Sequence, residues 1–186
     1  MMEKQQNHNT ELASLNIIRS HLNAEHMRAA LEEKELKLRH NFMTLNITPE
    51  LSQHVKIQRA DNPQTTILII DDDPFARSLI KKVYAKNAKV LTAKNALEGF
   101  KLYVKHAPDL LLLDIQMPNI NGYDFLAKIF DLDPAAYVVM LSAHADDSNI
   151  DKAIKYGARG FVRKPFSPAE LLSYTASINR QTIDIN

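Results

Sequence analysis

From residue 66 onward the chain alternates short apolar runs with longer stretches whose apolar residues recur at helical spacing. The runs are residues 66–70 (TILII), 89–92 (KVLT), 109–113 (DLLLL), 137–141 (YVVML) and 160–162 (GFV). Continuous apolar runs suit strands covered on both faces, the condition of a parallel sheet. The stretches between and after them, 75–87, 96–106, 123–130, 148–156 and 169–179, predict amphipathic helices. In the first, Phe75, Leu79, Ile80 and Val83 share one face while Arg77, Lys81 and Lys82 point away. Asp73 before Pro74 reads as a capped helix start, because proline lacks only an N–H that the first turn leaves unpaired. Strands each followed by a helix make a doubly wound α/β domain of about 120 residues, a five-stranded parallel sheet.

The first sixty residues read differently. Leu15, Ile18, Leu22, Met27, Leu31, Leu38, Phe42 and Leu45 recur at roughly helical spacing, and residues 25–39 are rich in strong helix formers. Thr48, Pro49 and Glu50 look like a second helix start. The polar cluster RADNPQT at 59–65 predicts a boundary, with residues 1–63 as a helical extension and linker and 64–186 as the α/β domain. Leu31, Leu38 and Leu45 fall one heptad apart, so the extension is expected either to dimerise as a coiled coil or to pack on its own domain. His21, His26 and His40 lie on it, raising a phosphotransfer histidine as a rival reading that AEHMRAAL does not support.

Composition narrows the chemistry. With 186 residues, 45% hydrophobic and 24% charged, the chain can bury one full core. A formal net charge of +1 supplies no overall field for a nucleic-acid backbone, so no nucleic acid is expected as a partner. The absence of cysteine removes thiolate catalysis, disulfides and cysteine-ligated zinc. The polar N-terminus has no signal-like apolar run and no stretch approaches a membrane span, so a cytoplasmic address and no membrane association are expected.

In doubly wound sheets ligands bind at the carboxyl ends of the strands. The first run ends in Asp71, Asp72 and Asp73, the third in Asp114, the fourth in Ser142, and the fifth leads into Lys164 and Pro165. Several carboxylates in one crevice repel one another unless a cation sits between them. Mg²⁺ suits a site with only two or three protein oxygens, since it keeps several waters and pairs with phosphoryl oxygens. Lysine and a serine hydroxyl complete a phosphoryl-transfer set. With four glycines in all and no Gly-rich lysine loop, nucleoside triphosphate binding is not expected, leaving a carboxylate nucleophile that forms an acyl phosphate.

Four motifs in order, ILIIDDDP at 67–74, LLLLDIQMPNINGYDFL at 110–126, VVMLSAHAD at 138–146 and GARGFVRKPFSPAELL at 157–172, resemble the receiver domain of bacterial two-component response regulators, including single-domain chemotaxis regulators. The resemblance covers roughly residues 64–180. It implies a flavodoxin-like sheet of strand order 2-1-3-4-5, with Asp114 as phosphoacceptor. It further implies Mg²⁺ ligated by Asp72, Asp114 and the backbone carbonyl of Gln116, with Asp71 acting through a metal-bound water. Ser142, Lys164 and Phe161 would be the phosphoryl-binding and switch residues, and the Lys164–Pro165 bond would be cis. Gln116 and His144 occupy the positions that tune phosphoryl lifetime. Asp73 is expected to cap the helix rather than join the site.

The function so implied is a response regulator of a phosphorelay, not an enzyme beyond its own phosphorylation and dephosphorylation. Its partners would be a histidine kinase or phosphotransfer protein and an output protein. Because only seven residues follow Asn179, no DNA-binding output domain is expected, and signalling would use protein surfaces such as Tyr156, Phe161 and Arg163. The competing readings are a constitutive scaffold with a vestigial pocket and a haloacid-type hydrolase. The second would carry DxDxT where this chain has DIQMP.

Overall fold

The computed structural model describes the backbone of residues 2–143 and 147–181, and the side chains of residues 23–143, 148–176 and 178. The chain divides into two compact units, Met1–His40 and Asn41–Asn186. Its helices are α1 (Met2–Met43), α2 (Pro49–Ala60), α3 (Pro74–Tyr84), α4 (Ala96–His106), α5 (Gly122–Leu132), α6 (Asp147–Lys155) and α7 (Pro168–Gln181). The strands are β1 (Thr66–Ile70), β2 (Lys89–Ala93), β3 (Leu110–Asp114), β4 (Val138–Ser142) and β5 (Gly160–Arg163). In the first unit the described residues of α1 are exposed apart from Leu38, which is half-buried. Among the described residues no helix is long and apolar enough to cross a membrane.

The second unit is a five-stranded parallel sheet of order β2-β1-β3-β4-β5. Each strand sends alternate side chains to opposite faces, and the apolar runs fill both. Ile67, Ile69, Leu110, Leu112, Val139 and Leu141 pack with Ile80 and Tyr84 of α3 and Leu171 of α7. Leu68, Ile70, Leu111, Leu113, Val138 and Met140 pack with Phe100 and Tyr103 of α4 and with Phe125, Leu126 and Ile129 of α5. The edge strand β2 is only partly buried, as its mixed sequence KVLTA requires.

Sequence expectation and structure part in three places. The face of α3 that is buried is Ala76, Ile80 and Tyr84, whereas Phe75 is 74% exposed and Leu79 40% exposed. Helix α1 ends at Met43, so Leu45 lies outside it and does not extend the heptad of Leu31 and Leu38. The expected domain boundary after residue 63 falls inside the second unit, which takes in residues 41–63.

Residues 41–61 are built into that unit by core contacts. Phe42, 2% exposed, stacks on Phe125 and meets Phe100 edge-on, with ring centroids 5.8 and 5.6 Å away. Val55 of α2 is fully buried. The Arg59 guanidinium forms an ion pair with Asp133 and donates to the Tyr103 hydroxyl at 3.1 Å, while that hydroxyl donates to Asp133 at 2.6 Å. The nearly buried Lys128 ammonium donates to the carbonyls of Met43 and Leu45 at 2.8 and 3.1 Å, satisfying oxygens at and just past the end of α1.

Candidate functional site

The parallel register brings the carboxyl ends of β1, β3, β4 and β5 to one edge of the sheet. Asp71 follows β1 and is fully buried, its N–H donating to the Ala93 carbonyl at 3.2 Å. Asp114 closes β3 and is 4% exposed. Asp72 is exposed beside them, and oxygens of Asp71, Asp72 and Asp114 lie within 4.8 Å of one another. The Lys164 ammonium spans two of the three, 2.7 Å from Asp71 Oδ2 and 2.9 Å from Asp114 Oδ1. Ser142 is 2% exposed at the end of β4, and its carbonyl accepts from the Lys164 N–H at 2.8 Å. Phe161 is half-buried in β5, against the core on the α4 and α5 face.

Local sequence explains how these groups are held. Asp73 caps α3, its carboxylate accepting from the Phe75 N–H at 2.9 Å, and its own N–H donates to Asp71 Oδ1 at 2.9 Å. That bond orients Asp71 with Oδ2 toward Lys164. Arg77, one turn into α3, donates to the Asp71 carbonyl at 2.6 Å. It does not simply point to solvent, as helical periodicity alone predicts. Its signal in the sequence is weak, since a basic residue four positions after a cap resembles any surface position.

The loop after β3 carries Gln116, whose side chain is exposed, and turns through Asn119 at φ 69°. It closes where the Gly122 N–H donates to the Ile115 carbonyl at 2.9 Å. A Cβ on Gly122 would stand 2.4 Å from the Asp114 carbonyl oxygen, a distance no side chain tolerates. The glycine that ends DIQMPNING is therefore required by close backbone approach beneath the acidic group. Asn121 then caps α5 by accepting from the Asp124 N–H at 3.0 Å. On the fifth strand side the Lys164–Pro165 peptide is cis. His144 lies outside the described residues, as does the side chain of His21; His26 and His40 are exposed on α1.

The electrostatics are those of a cluster short of positive charge. Burial pushes the Asp114 carboxyl up to about 6; the Lys164 ammonium opposes the rise, and the carboxylates of Asp71 and Asp72 add to it. Burial pulls Lys164 down, but its hydrogen bonds and ion pairs with Asp71 and Asp114 outweigh that and raise it above the ordinary lysine value. Asp71 Oδ2 is buried, and the Lys164 ammonium at 2.7 Å is its one partner among the described residues. Three carboxylates against one ammonium, with a buried oxygen not fully satisfied, make a donor set that fits a hard divalent cation.

The chain can be set beside known proteins on this geometry. Residues 67–176 match the response regulator receiver domain family. The chemotaxis protein CheY of Listeria monocytogenes is 40% identical over 108 residues, covering 57% of this chain and 91% of the relative. Among solved structures, a response regulator receiver domain protein from Clostridium thermocellum superposes with a TM-score of 0.59 at 30% identity, covering 64% of this chain and 98% of that one. A CheX–CheY complex with BeF3 and magnesium from Borrelia burgdorferi gives a TM-score of 0.57 at 28% identity, covering 61% and 87%.

Proposed function

The chain belongs to the response regulator receiver domain family of two-component signalling, and from that premise we propose that Asp114 accepts a phosphoryl group in a Mg²⁺-dependent reaction. The observation that carries this reading is the Lys164 ammonium held between Asp71 and Asp114 inside a cluster of three carboxylates. A carboxylate oxygen of Asp114 attacks phosphorus, and the bond from phosphorus to the donor atom breaks. That atom is an imidazole nitrogen of a histidine kinase or phosphotransfer protein, or an acyl oxygen of a small phosphodonor. An imidazole leaving group takes its proton from solvent, and an acyl one departs as the carboxylate. Above about pH 6 Asp114 is mainly ionised and ready to attack.

Asp72, Asp114 and the Gln116 carbonyl are the proposed ligands of Mg²⁺, with Asp71 acting through a water. The bound ion would supply positive charge to the phosphoryl oxygens. Lys164 starts on Asp114 and shifts to the phosphoryl group once the carboxylate has become an acyl phosphate, while the Ser142 hydroxyl donates to a phosphoryl oxygen. Phe161, in β5 three residues before Lys164, is the proposed reporter of that movement.

The phosphorylated state is proposed to act through protein contacts at α6, β5 and α7, in the cytoplasm. That surface exposes Ile154 and Tyr156 together with Arg163, while residues 41–61 pack on α4 and α5 instead. The same site would catalyse only its own phosphorylation and dephosphorylation. Incubation with acetyl phosphate and Mg²⁺ should add one phosphoryl group by intact mass, abolished by Asp114→Asn or by EDTA. An unmodified wild-type chain under saturating donor would overturn the assignment.

A further inference from the structure

Residues 41–61 leave a groove where they meet α4. Its apolar wall is formed by Leu45, Leu51, Phe100 and Val104, and Lys101 and Lys105 stand exposed at its rim, around a cavity of about 490 Å³. The two lysines are four residues apart on α4 and so share one face of that helix. An apolar trough edged by two ammonium groups selects an apolar side chain flanked by carboxylates.

The first unit exposes such a segment. Leu36 of α1 is 67% exposed; on the same side of the helix Glu32 and Glu33 are exposed one turn before it, and Arg39 and His40 one turn after it, so the acidic flank is the N-terminal one. Lys101 and Lys105 on the one side and Glu32, Glu33 and Leu36 on the other are exposed, and the two sets are opposite in charge. Charge complementarity between them is what selects the occupant.

We infer that the groove between α2 and α4 receives the Glu32–Glu33–Leu36 face of α1 from a second copy of this chain. Leu36 enters between Phe100 and Leu51, and Glu32 and Glu33 meet Lys101 and Lys105. Each chain offers one groove and one acidic helix face, so a two-fold pairing satisfies both at once and closes the assembly. This differs from a coiled coil of two α1 helices, in which Leu31 and Leu38 would form the seam and the groove would stay open. The α6, β5 and α7 surface takes no part, so the association is independent of the phosphoacceptor reading.

Sedimentation of the full chain across a concentration series should show a monomer–dimer equilibrium that weakens as salt is raised. Lys101→Glu with Lys105→Glu should weaken the dimer by about tenfold or more, and so should Glu32→Lys with Glu33→Lys. Mixing the two double variants should restore it, because both contacts of the mixed pair then bring opposite charges together, one native and one with the charges exchanged. All these residues are exposed, and the chain has no cysteine of its own. An equimolar mixture of Leu36→Cys and Leu45→Cys chains should therefore give a disulfide-linked heterodimer under mild oxidation. A monomer at every concentration would overturn the inference. So would a dimer weakened by the α1 substitutions and indifferent to Lys101 and Lys105, which is the coiled-coil outcome. Loss of dimer in both double variants with no recovery on mixing would also count against it.

Discussion

Replacing Asp114 with asparagine should stabilise the protein when Mg²⁺ is withheld. The Asp114 carboxyl titrates near 6 in the folded chain against an ordinary value of 3.8, with burial the largest cause. A folded pKa above the unfolded one means that the folded state holds its proton longer. Stability therefore falls as pH rises from about 4 through about 6, and the full penalty is present at higher pH. A difference of about two units is worth at most about 3 kcal/mol, and rearrangement around the cluster brings the expected figure to about 1–3 kcal/mol. Asparagine fills the same space without the charge, and Lys164 keeps its pairing with Asp71. In EDTA at pH 7.5 the Asp114→Asn chain should melt about 3–8 °C above wild type for a domain of this size. The gap should shrink toward pH 4, where the wild-type carboxyl is itself largely neutral when folded, and it should narrow at pH 7.5 when saturating Mg²⁺ stabilises the wild type. A variant no more stable than wild type in EDTA at pH 7.5, or a gain unchanged at pH 4, would refute the reasoning.

Arg59→Met should cost about 3 kcal/mol in urea unfolding, because Asp133, 1% exposed, loses its cation; Arg59→Met with Asp133→Leu should recover most of that. A chain starting at residue 41 should fold cooperatively and accept phosphate. One starting at residue 61 loses Phe42, Val55 and Arg59 and should be destabilised by several kcal/mol, at about 3–5 kcal/mol for the phenylalanine alone, as read by thermal melting. Gly122→Ala should slow phosphorylation by acetyl phosphate at least several-fold while leaving the helical circular dichroism unchanged, since its Cβ displaces the backbone at Asp114.

The strands and the acidic edge were legible because each rests on a local pattern. A run such as LLLLD states in five letters that a strand is buried on both faces and ends in a carboxylate, and the parallel sheet places every such end on the same side. The buried face of α3 was less legible. Phe75 and Leu79 are more hydrophobic than Ala76 and Tyr84, yet it is Ala76 and Tyr84 that join Ile80 inside, because the Asp73 cap fixes where the helix starts and therefore which way each residue turns. Hydrophobicity ranks residues, whereas the entry point of the chain sets the phase.

The anchoring of residues 41–61 illustrates the same limit at longer range. Phe42 reads as one more apolar position in the series along α1, Val55 stands between His54 and Lys56, and Arg59 sits in the very cluster that reads as a linker. What makes them core is supplied from elsewhere: Phe100 and Phe125 offer the rings between which Phe42 fits, and Tyr103 and Asp133 the oxygens that Arg59 needs. Tyr103 and Asp133 in turn would be buried polar groups without a cation if α2 were absent, and burial already holds the Tyr103 hydroxyl well above the ordinary tyrosine value. The sheet domain is thus incomplete without residues 41–61, and the polar stretch after them is a tight connection, with the Asn62 amide donating to the Thr66 hydroxyl at 2.8 Å, rather than a hinge between domains.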